Sequence, residues 1–207
     1  MKITNLPSGP LAVNTYLVVD ETTNKGFIVD PGGHNTKLTQ MVNSENIDIE
    51  YIILTHGHGD HTGGVKQHMQ DFPNAKLAAS IEEKAMLADA DMNMSTMVFS
   101  VPITFVEADL WVKNGDTLKI GNMELKFIHT PGHSPGGMCI LVDNVLFSGD
   151  TLFCQSVGRT DFPGCSFDDL KESIHKKLFV LPDDTKVFPG HMGTTSIGFE
   201  KRNNPFV

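Results

Sequence analysis

Apolar positions along this chain fall in short runs between turn residues. Their spacing alternates between about two and about 3.6, the signature of strands interleaved with helices. Residues 11–20 (LAVNTYLVVD) and 26–30 (GFIVD) are rich in Val, Ile, Leu and aromatics and enclose the segment ETTNK, which predicts an antiparallel hairpin. Residues 34–44 carry Leu38, Met41 and Val42 at i, i+3 and i+4 behind Pro31-Gly32-Gly33, which predicts an amphipathic helix. Residues 50–54 (EYIIL) predict a buried strand, 64–70 a short helix and 76–79 another strand. Residues 80–88 predict a helix in which Ser80 and Glu83 have the spacing of a reciprocal N-terminal cap. Residues 91–100 (DMNMSTMVFS) have no period and are expected to form an irregular surface connection, with a mobile lid as the alternative.

From Val106 onward, short strands recur between the turn signals Asn114-Gly115-Asp116, Ile120-Gly121-Asn122 and Asp143-Asn144, predicting a second, antiparallel sheet region. Residues 167–179 predict a helix with Asp168 and Asp169 at its start and Lys176 and Lys177 near its end, as the helix dipole favours. Residues 186–188 predict a strand running into Pro189-Gly190-His191. Both halves thus place a helix and a His-bearing turn after strands. Two sheets between outer helices would bury these elements in one domain spanning 1–207.

A chain that is 40% hydrophobic and 20% charged has the composition of a folded globular protein. Its 16 basic and 25 acidic residues give a formal charge of −9, and its basic runs are no longer than Lys176-Lys177 and Lys201-Arg202, so no nucleic-acid partner is expected. No secretory pattern or 18-residue apolar run is present, so the expectation is a cytoplasmic protein without a membrane partner. Cys139, Cys154 and Cys165 form no C-x-x-C pair and are expected to be reduced thiols.

The densest chemical signal is Thr55-His56-Gly57-His58-Gly59-Asp60-His61, directly after an apolar strand. His56 and His58 alternate by two, so an extended strand end can aim both imidazoles at one ion, while Asp60 and His61, past the Gly59 bend, can face a second. Packing these groups together without a cation would be costly. His133, Asp150 and His191 follow in order, each a polar residue beside glycine near the end of an apolar strand. His34, His68 and His175 are read as ordinary histidines, and His129 as a strand residue or a hydrogen-bonding support rather than a further ligand.

In this order of residues the chain resembles the metallo-β-lactamase superfamily, with its H-x-H-x-D-H motif followed by His, Asp and His. The resemblance implies an α/β fold, a four-layer αββα sandwich of two mixed sheets with outer helices. It also implies a dinuclear site with His56, His58 and His133 on one metal, Asp60, His61 and His191 on the other, and Asp150 bridging. Asp30 in Ile28-Val29-Asp30-Pro31-Gly32 matches an early Asp that supports such sites from behind the ligands. Residues 149–153, 158–162 and the tail 199–206 are similar to hydroxyacylglutathione hydrolases, or glyoxalase II, of the short type that lacks a C-terminal helical domain.

Two divalent ions, zinc first with iron or manganese as alternatives, would generate a hydroxide held by Asp150, Asp60 and His58 and polarise a carbonyl. The expected reaction is hydrolysis of a small acyl-thioester such as S-lactoylglutathione, with Arg159, Lys201 and Arg202 meeting the carboxylates of an anionic thiol carrier. No Ser or Cys nucleophile is needed, and Ser134 and Ser148 are expected to hydrogen-bond in turns. The alternative on the same fold is a persulfide dioxygenase using one iron held by His56 or His58, His133 and Asp150. A third reading is a catalytically idle metal-binding protein, and nuclease or β-lactamase activity ranks lower.

Overall fold

Val and Ile dominate the central strands because both faces of each sheet are covered. The computed structural model describes residues 1–105 and 107–207, so Val106, where the second strand region was expected to begin, lies outside the described residues. One six-stranded sheet runs in the order β1 (Lys2–Asn5), β2 (Tyr16–Asp20), β3 (Lys25–Val29), β4 (Asp48–Ile53), β5 (Lys76–Ser80) and β6 (Leu110–Val112). Its first three strands are antiparallel and β3 to β6 are parallel. The expected hairpin is present as β2 and β3, paired from Tyr16 with Val29 to Asp20 with Lys25. Residues 11–15 lie outside the strands.

The second sheet begins with the meander β7 (Thr117–Ile120), β8 (Met123–His129), β9 (Met138–Val142) and β10 (Val145–Gly149). A separate hairpin, β11 (Leu152–Phe153) with β12 (Ser156–Val157), follows before β13 (Lys186–Pro189) joins β10 and β14 (Thr195–Ser196) closes the edge. This sheet is mixed rather than antiparallel, because β13 returns parallel to β10 after a helical crossover.

Strand alternation sorts side chains into layers. Phe27, Val29, Ile53, Phe127 and Phe147 share a core made by both sheets. Ile28 and Ile52 belong instead to a second core with Leu38 and Val42 of α1 (Thr36–Ser44). A third core joins Ile128, Leu146 and Val187 to Leu170 of α6 (Phe167–Ser173), to Ile174 and Leu178 of the π-helical turn that continues it, and to Ile197 of α7 (Ile197–Asn203). The four-layer sandwich is thus observed. Each large apolar side chain so buried contributes about 1.5–3 kcal/mol relative to exposure.

The remaining helices are short: α2 (Gly59–Thr62), α3 (Val65–Asp71), α4 (Lys84–Ala88) and α5 (Ser95–Val98). The expected helix over 80–88 opens with a 3-10 turn, Ile81–Glu83, and Ser80 makes no side-chain cap. Residues 91–100 are anchored rather than loosely connected: Asn93 and Ser95 are fully buried, and the Asn93 carbonyl accepts the Gly59 N–H at 2.7 Å. Among the described residues, no helix is long and apolar enough to cross a membrane.

Candidate metal centre

The candidate residues converge because the strands that carry them end at one edge of the sandwich. β3 ends at Val29 before Asp30, β4 at Ile53 before the His56–His61 motif, β8 at His129 before His133, β10 at Gly149 before Asp150, and β13 at Pro189 before His191. His58 is the extended residue that opens α2, and this one-turn helix carries Asp60 and His61. The chain passes very close to itself here. A Cβ on Gly190 would lie 2.4 Å from Asp150 Oδ1 and 2.6 Å from His61 Cε1, so that position has no room for a side chain.

Donor atoms of His56, His58 and His133 lie within 4.8 Å of one another, and so do those of Asp60, His61 and His191. Asp150 reaches both groups: Oδ1 is 3.3 Å from His61 Nε2, and Oδ2 is 3.6 Å from His133 Nε2 and 3.7 Å from His191 Nε2. His133 Nδ1 donates to the Arg159 carbonyl at 2.7 Å, which leaves Nε2 with its lone pair facing His58 Nδ1 at 2.9 Å. His61 Nδ1 donates to Asp30 Oδ2 at 2.9 Å, which frees Nε2 toward Asp150 and toward Asp60 Oδ2 at 3.7 Å.

The donor set fits divalent cations. His56 Nε2, His61 Nε2 and Asp150 Oδ1 are buried without a hydrogen-bond partner, and the last two face each other at 3.3 Å. Burial, then the neighbouring His61, hold His56 well below the ordinary histidine value, and burial with His133 brings His58 down to about 3. Both imidazoles are therefore neutral, as metal ligands must be. Around His61, burial opposes a cation, but Asp150, Asp60 and Asp30 raise its pKa well above the usual value. Burial also works against the charge on Asp150, yet His61, His133 and His191 hold its carboxyl well below the carboxylate range. For Asp60 the same opposition is overcome by His61 and His191. Carboxylates kept ionised beside the neutral His56 and His58 call for positive charge between them, which a divalent cation would supply in place of the proton that the carboxylates favour on His61.

Two buried carboxylates brace the cluster. Asp30, in a left-handed conformation at φ 48°, accepts the Thr55 N–H at 2.7 Å and the Thr55 hydroxyl at 2.6 Å besides His61. Glu83 accepts the N–H of Gly57 at 2.6 Å and of Gly136 at 2.5 Å, tying the loop of His56 and His58 to the loop of His133. Its spacing from Ser80 suggested a helix cap, so the sequence reading missed this role. Ser80 instead hydrogen-bonds Glu82.

Other candidates sit elsewhere. His34, His68 and Asp71 gather behind Gly33, where His34 Nε2 lies 2.8 Å from Asp71 and His68 Nε2 accepts the Asn35 N–H. That bond places the ring proton of neutral His68 on Nδ1, which suits a structural histidine rather than a ligand. His129 Nε2 bonds the Pro135 carbonyl. Ser148 donates to the Leu152 carbonyl, whereas Ser134 Oγ has no partner. Cys139 is buried and its thiol is pushed up to about 11, chiefly by desolvation. Cys165 donates to the His133 carbonyl.

A cavity of ≈ 400 Å³ opens over the cluster, lined by His58, Asp60, His133, Asp150 and His191 on its floor and by Arg159 and Phe162 on its side. Arg159 is partly engaged: its guanidinium lies 4.4 Å from the Phe162 ring and forms a two-pronged pair with exposed Asp161. Lys201 and Arg202, expected to meet substrate, are instead paired with Asp183 and do not line this cavity, because α7 turns them toward the preceding loop. The tail reaches the site through Glu200, which accepts the Gln155 N–H, and Asn204, which donates to the Ser156 carbonyl. These bonds fix the β11–β12 hairpin whose Phe153 borders the cavity.

The family model of the metallo-beta-lactamase superfamily matches residues 8–191. The hydroxyacylglutathione hydrolase GloC of Haemophilus influenzae is 35% identical over all of this chain and 98% of its own. Among solved structures, the BLEG-1 B3 metallo-beta-lactamase is 36% identical with a TM-score of 0.92, covering 99% of each chain. TTHA1623, solved in a di-iron-bound form, is 30% identical with a TM-score of 0.84 over 99% of this chain and 100% of its own. With a family match across most of its length and a sandwich whose strand ends gather the His and Asp clusters, the chain belongs to the metallo-beta-lactamase superfamily.

Proposed function

We propose that the protein is a dinuclear metal-dependent hydrolase of acyl-thioesters, with hydroxyacylglutathiones as the leading substrate class. The observation that carries this reading is Asp150, whose two oxygens face His61 on one side and His133 and His191 on the other, between two groups each able to hold an ion. His56, His58 and His133 would hold the first ion and Asp60, His61 and His191 the second, with Asp150 shared. Bound there, the ions lower the pKa of a water toward neutrality and act as Lewis acids for the substrate carbonyl.

The side chains do the rest. Asp60 Oδ2, kept as a carboxylate, can accept a hydrogen bond from the attacking water and so orient its lone pair. His58 and His133 border the cavity floor where the thioester carbonyl would lie, and Arg159 stands at its side for an anionic thiol carrier. Overall, water adds its oxygen to the carbonyl carbon and the C–S bond breaks. The thiolate leaves with the electron pair, and both protons of the water are released as the carboxylate forms, one of them available to convert the departed thiolate to the free thiol. A thiolate is a good enough leaving group that no separate acid need protonate it.

The likeness to GloC supports the thioester, and the di-iron form of TTHA1623 supports a two-ion site for metals other than zinc. The likeness to BLEG-1 supports a second reading, β-lactam hydrolysis, which uses the same attack on a carbonyl. One preparation tested with S-lactoylglutathione, a chromogenic cephalosporin and glutathione persulfide with oxygen uptake separates the readings. Thioester turnover without oxygen uptake is expected. Persulfide-dependent oxygen consumption with no thioester turnover would replace this assignment with the single-iron dioxygenase.

A further inference from the structure

A second cavity of ≈ 410 Å³ adjoins the first. It is lined by His58, Met86, Asp91, Met92, Met94, Pro135, Phe162, Pro163 and Gly164, so His58, Met94 and Phe162 border both spaces. The two differ in character. The first has Arg159 as its one Lys or Arg at the side, Ser156 as a polar group, and the carboxylates of Asp60 and Asp150 on the floor, where bound cations would neutralise them. In the second, the methionines, prolines and Phe162 supply apolar walls, and Asp91 is the one carboxylate. An anionic group would be repelled by Asp91 in the second cavity and drawn to the first by Arg159 together with the cations that would occupy its floor.

Met94 divides the two spaces. Its φ of 60° is left-handed, a conformation that L side chains adopt at a cost. Buried neighbours hold it there: Asn93 accepts the Gly59 N–H through its carbonyl and donates from its side chain to the Ile103 carbonyl, and Ser95 packs against Gly59. The segment that positions Met94 is thus fastened to the start of α2, the turn carrying Asp60 and His61. Met92, half exposed, forms the outer lip. Methionine side chains are flexible and polarisable, which suits a wall that must fit chains of different length.

We propose that the cavity bounded by Met86, Met92, Met94, Pro135, Phe162 and Pro163 receives an uncharged, apolar acyl chain, while the Arg159 cavity receives the anionic thiol arm. This assignment rests on the thioesterase reading and extends the substrate class beyond small hydroxyacyl groups. The carbonyl lies at His58, where the spaces meet, and each arm is sorted by charge. A volume of ≈ 410 Å³ has room for about a dozen water-sized groups, more than a two-carbon acyl group fills.

The test is a series of acetyl-, butyryl- and hexanoyl-glutathione assayed with the metal-loaded protein, alongside calorimetric binding of S-methyl- and S-hexylglutathione. The expected result is a kcat/KM that rises up to about threefold per added methylene, with S-hexylglutathione binding at least about tenfold tighter than S-methylglutathione. Met92→Trp, which fills the lip from an exposed position, is expected to lower the hexanoyl-to-acetyl ratio of kcat/KM about tenfold or more. Turnover that is independent of chain length, or a Met92→Trp effect that follows the thiol carrier and not the acyl chain, overturns the chamber and leaves the thioesterase reading standing. No turnover of any thioester overturns both.

Discussion

Glu83 Oε2 lies 2.6 Å from the amide nitrogen of Gly57, the residue between His56 and His58. Because Oε1 takes the Gly136 N–H near His133, one buried carboxylate fixes the spacing of all three imidazoles in the first group. Glu83→Gln keeps one acceptor and turns an NH2 toward the other N–H, leaving a buried donor unsatisfied. The expected loss is about 1–3 kcal/mol of stability. Affinity for the first ion should weaken with it, as read by thermal unfolding and by metal titration. Unchanged metal affinity would show that Glu83 braces the fold without tuning the site.

Asp30 plays the corresponding part for the second group. Asp30→Ala removes the acceptor of His61 Nδ1 and of the Thr55 N–H and hydroxyl in a site closed to water. Metal affinity is expected to fall about 10–100-fold, the usual effect of losing a carboxylate behind a ligating histidine. Competition against a chromogenic chelator measures it, and affinity within twofold of the parent protein would refute the support role.

Of these two carboxylates, Asp30 was legible from its place in Ile28-Val29-Asp30-Pro31-Gly32, whereas Glu83 marks the limit of what the sequence discloses. The convergence of the His-rich turn after β4 with the later His133, Asp150 and His191 was legible because these candidate residues come in a fixed order near strand ends. The hairpin β2–β3, helix α1 and buried β4 were legible from periodicity. Glu83 was not, because its partners are backbone N–H groups 26 and 53 residues away and leave no trace in side-chain identity. Lys201 and Arg202 looked like anion binders only because their charge was visible and Asp183, which neutralises them, was 18 and 19 residues distant. The parallel pairing of β13 with β10 was equally hidden, since a short apolar run reads the same in either direction.

Removing metal should loosen the molecule as well as silence it. The stripped site leaves His56 Nε2, His61 Nε2 and Asp150 Oδ1 buried without partners. Ions that bind only the folded state stabilise it by about 2.7 kcal/mol at a hundredfold excess over Kd. Treatment with a chelator is expected to lower Tm by several degrees, and restoring zinc or iron to recover it. A Tm indifferent to metal would contradict a high-affinity site.

A pH effect is expected far from the metal centre. Asp20, at the end of β2, accepts from Thr22, Thr23 and the Asn122 N–H of the second sheet. The Thr22 hydroxyl and the Asn122 and Thr22 amides hold its carboxyl well below the usual range. A depressed folded pKa means that its stabilisation is complete above the unfolded value of about 4 and is lost as pH falls through the folded one. Asp20→Asn should therefore lower Tm most at neutral pH, with the difference shrinking below about pH 4. A difference constant down to pH 2 would rule out the charge as its source.

The most direct test of the two-ion account is the number of metal ions per chain, measured by native mass spectrometry on the parent protein and on Asp150→Ala and His191→Ala. The account predicts two ions in the parent, fewer than two in each variant, and loss of thioester hydrolysis in parallel. One ion in the parent, unaffected by His191→Ala, would contradict it.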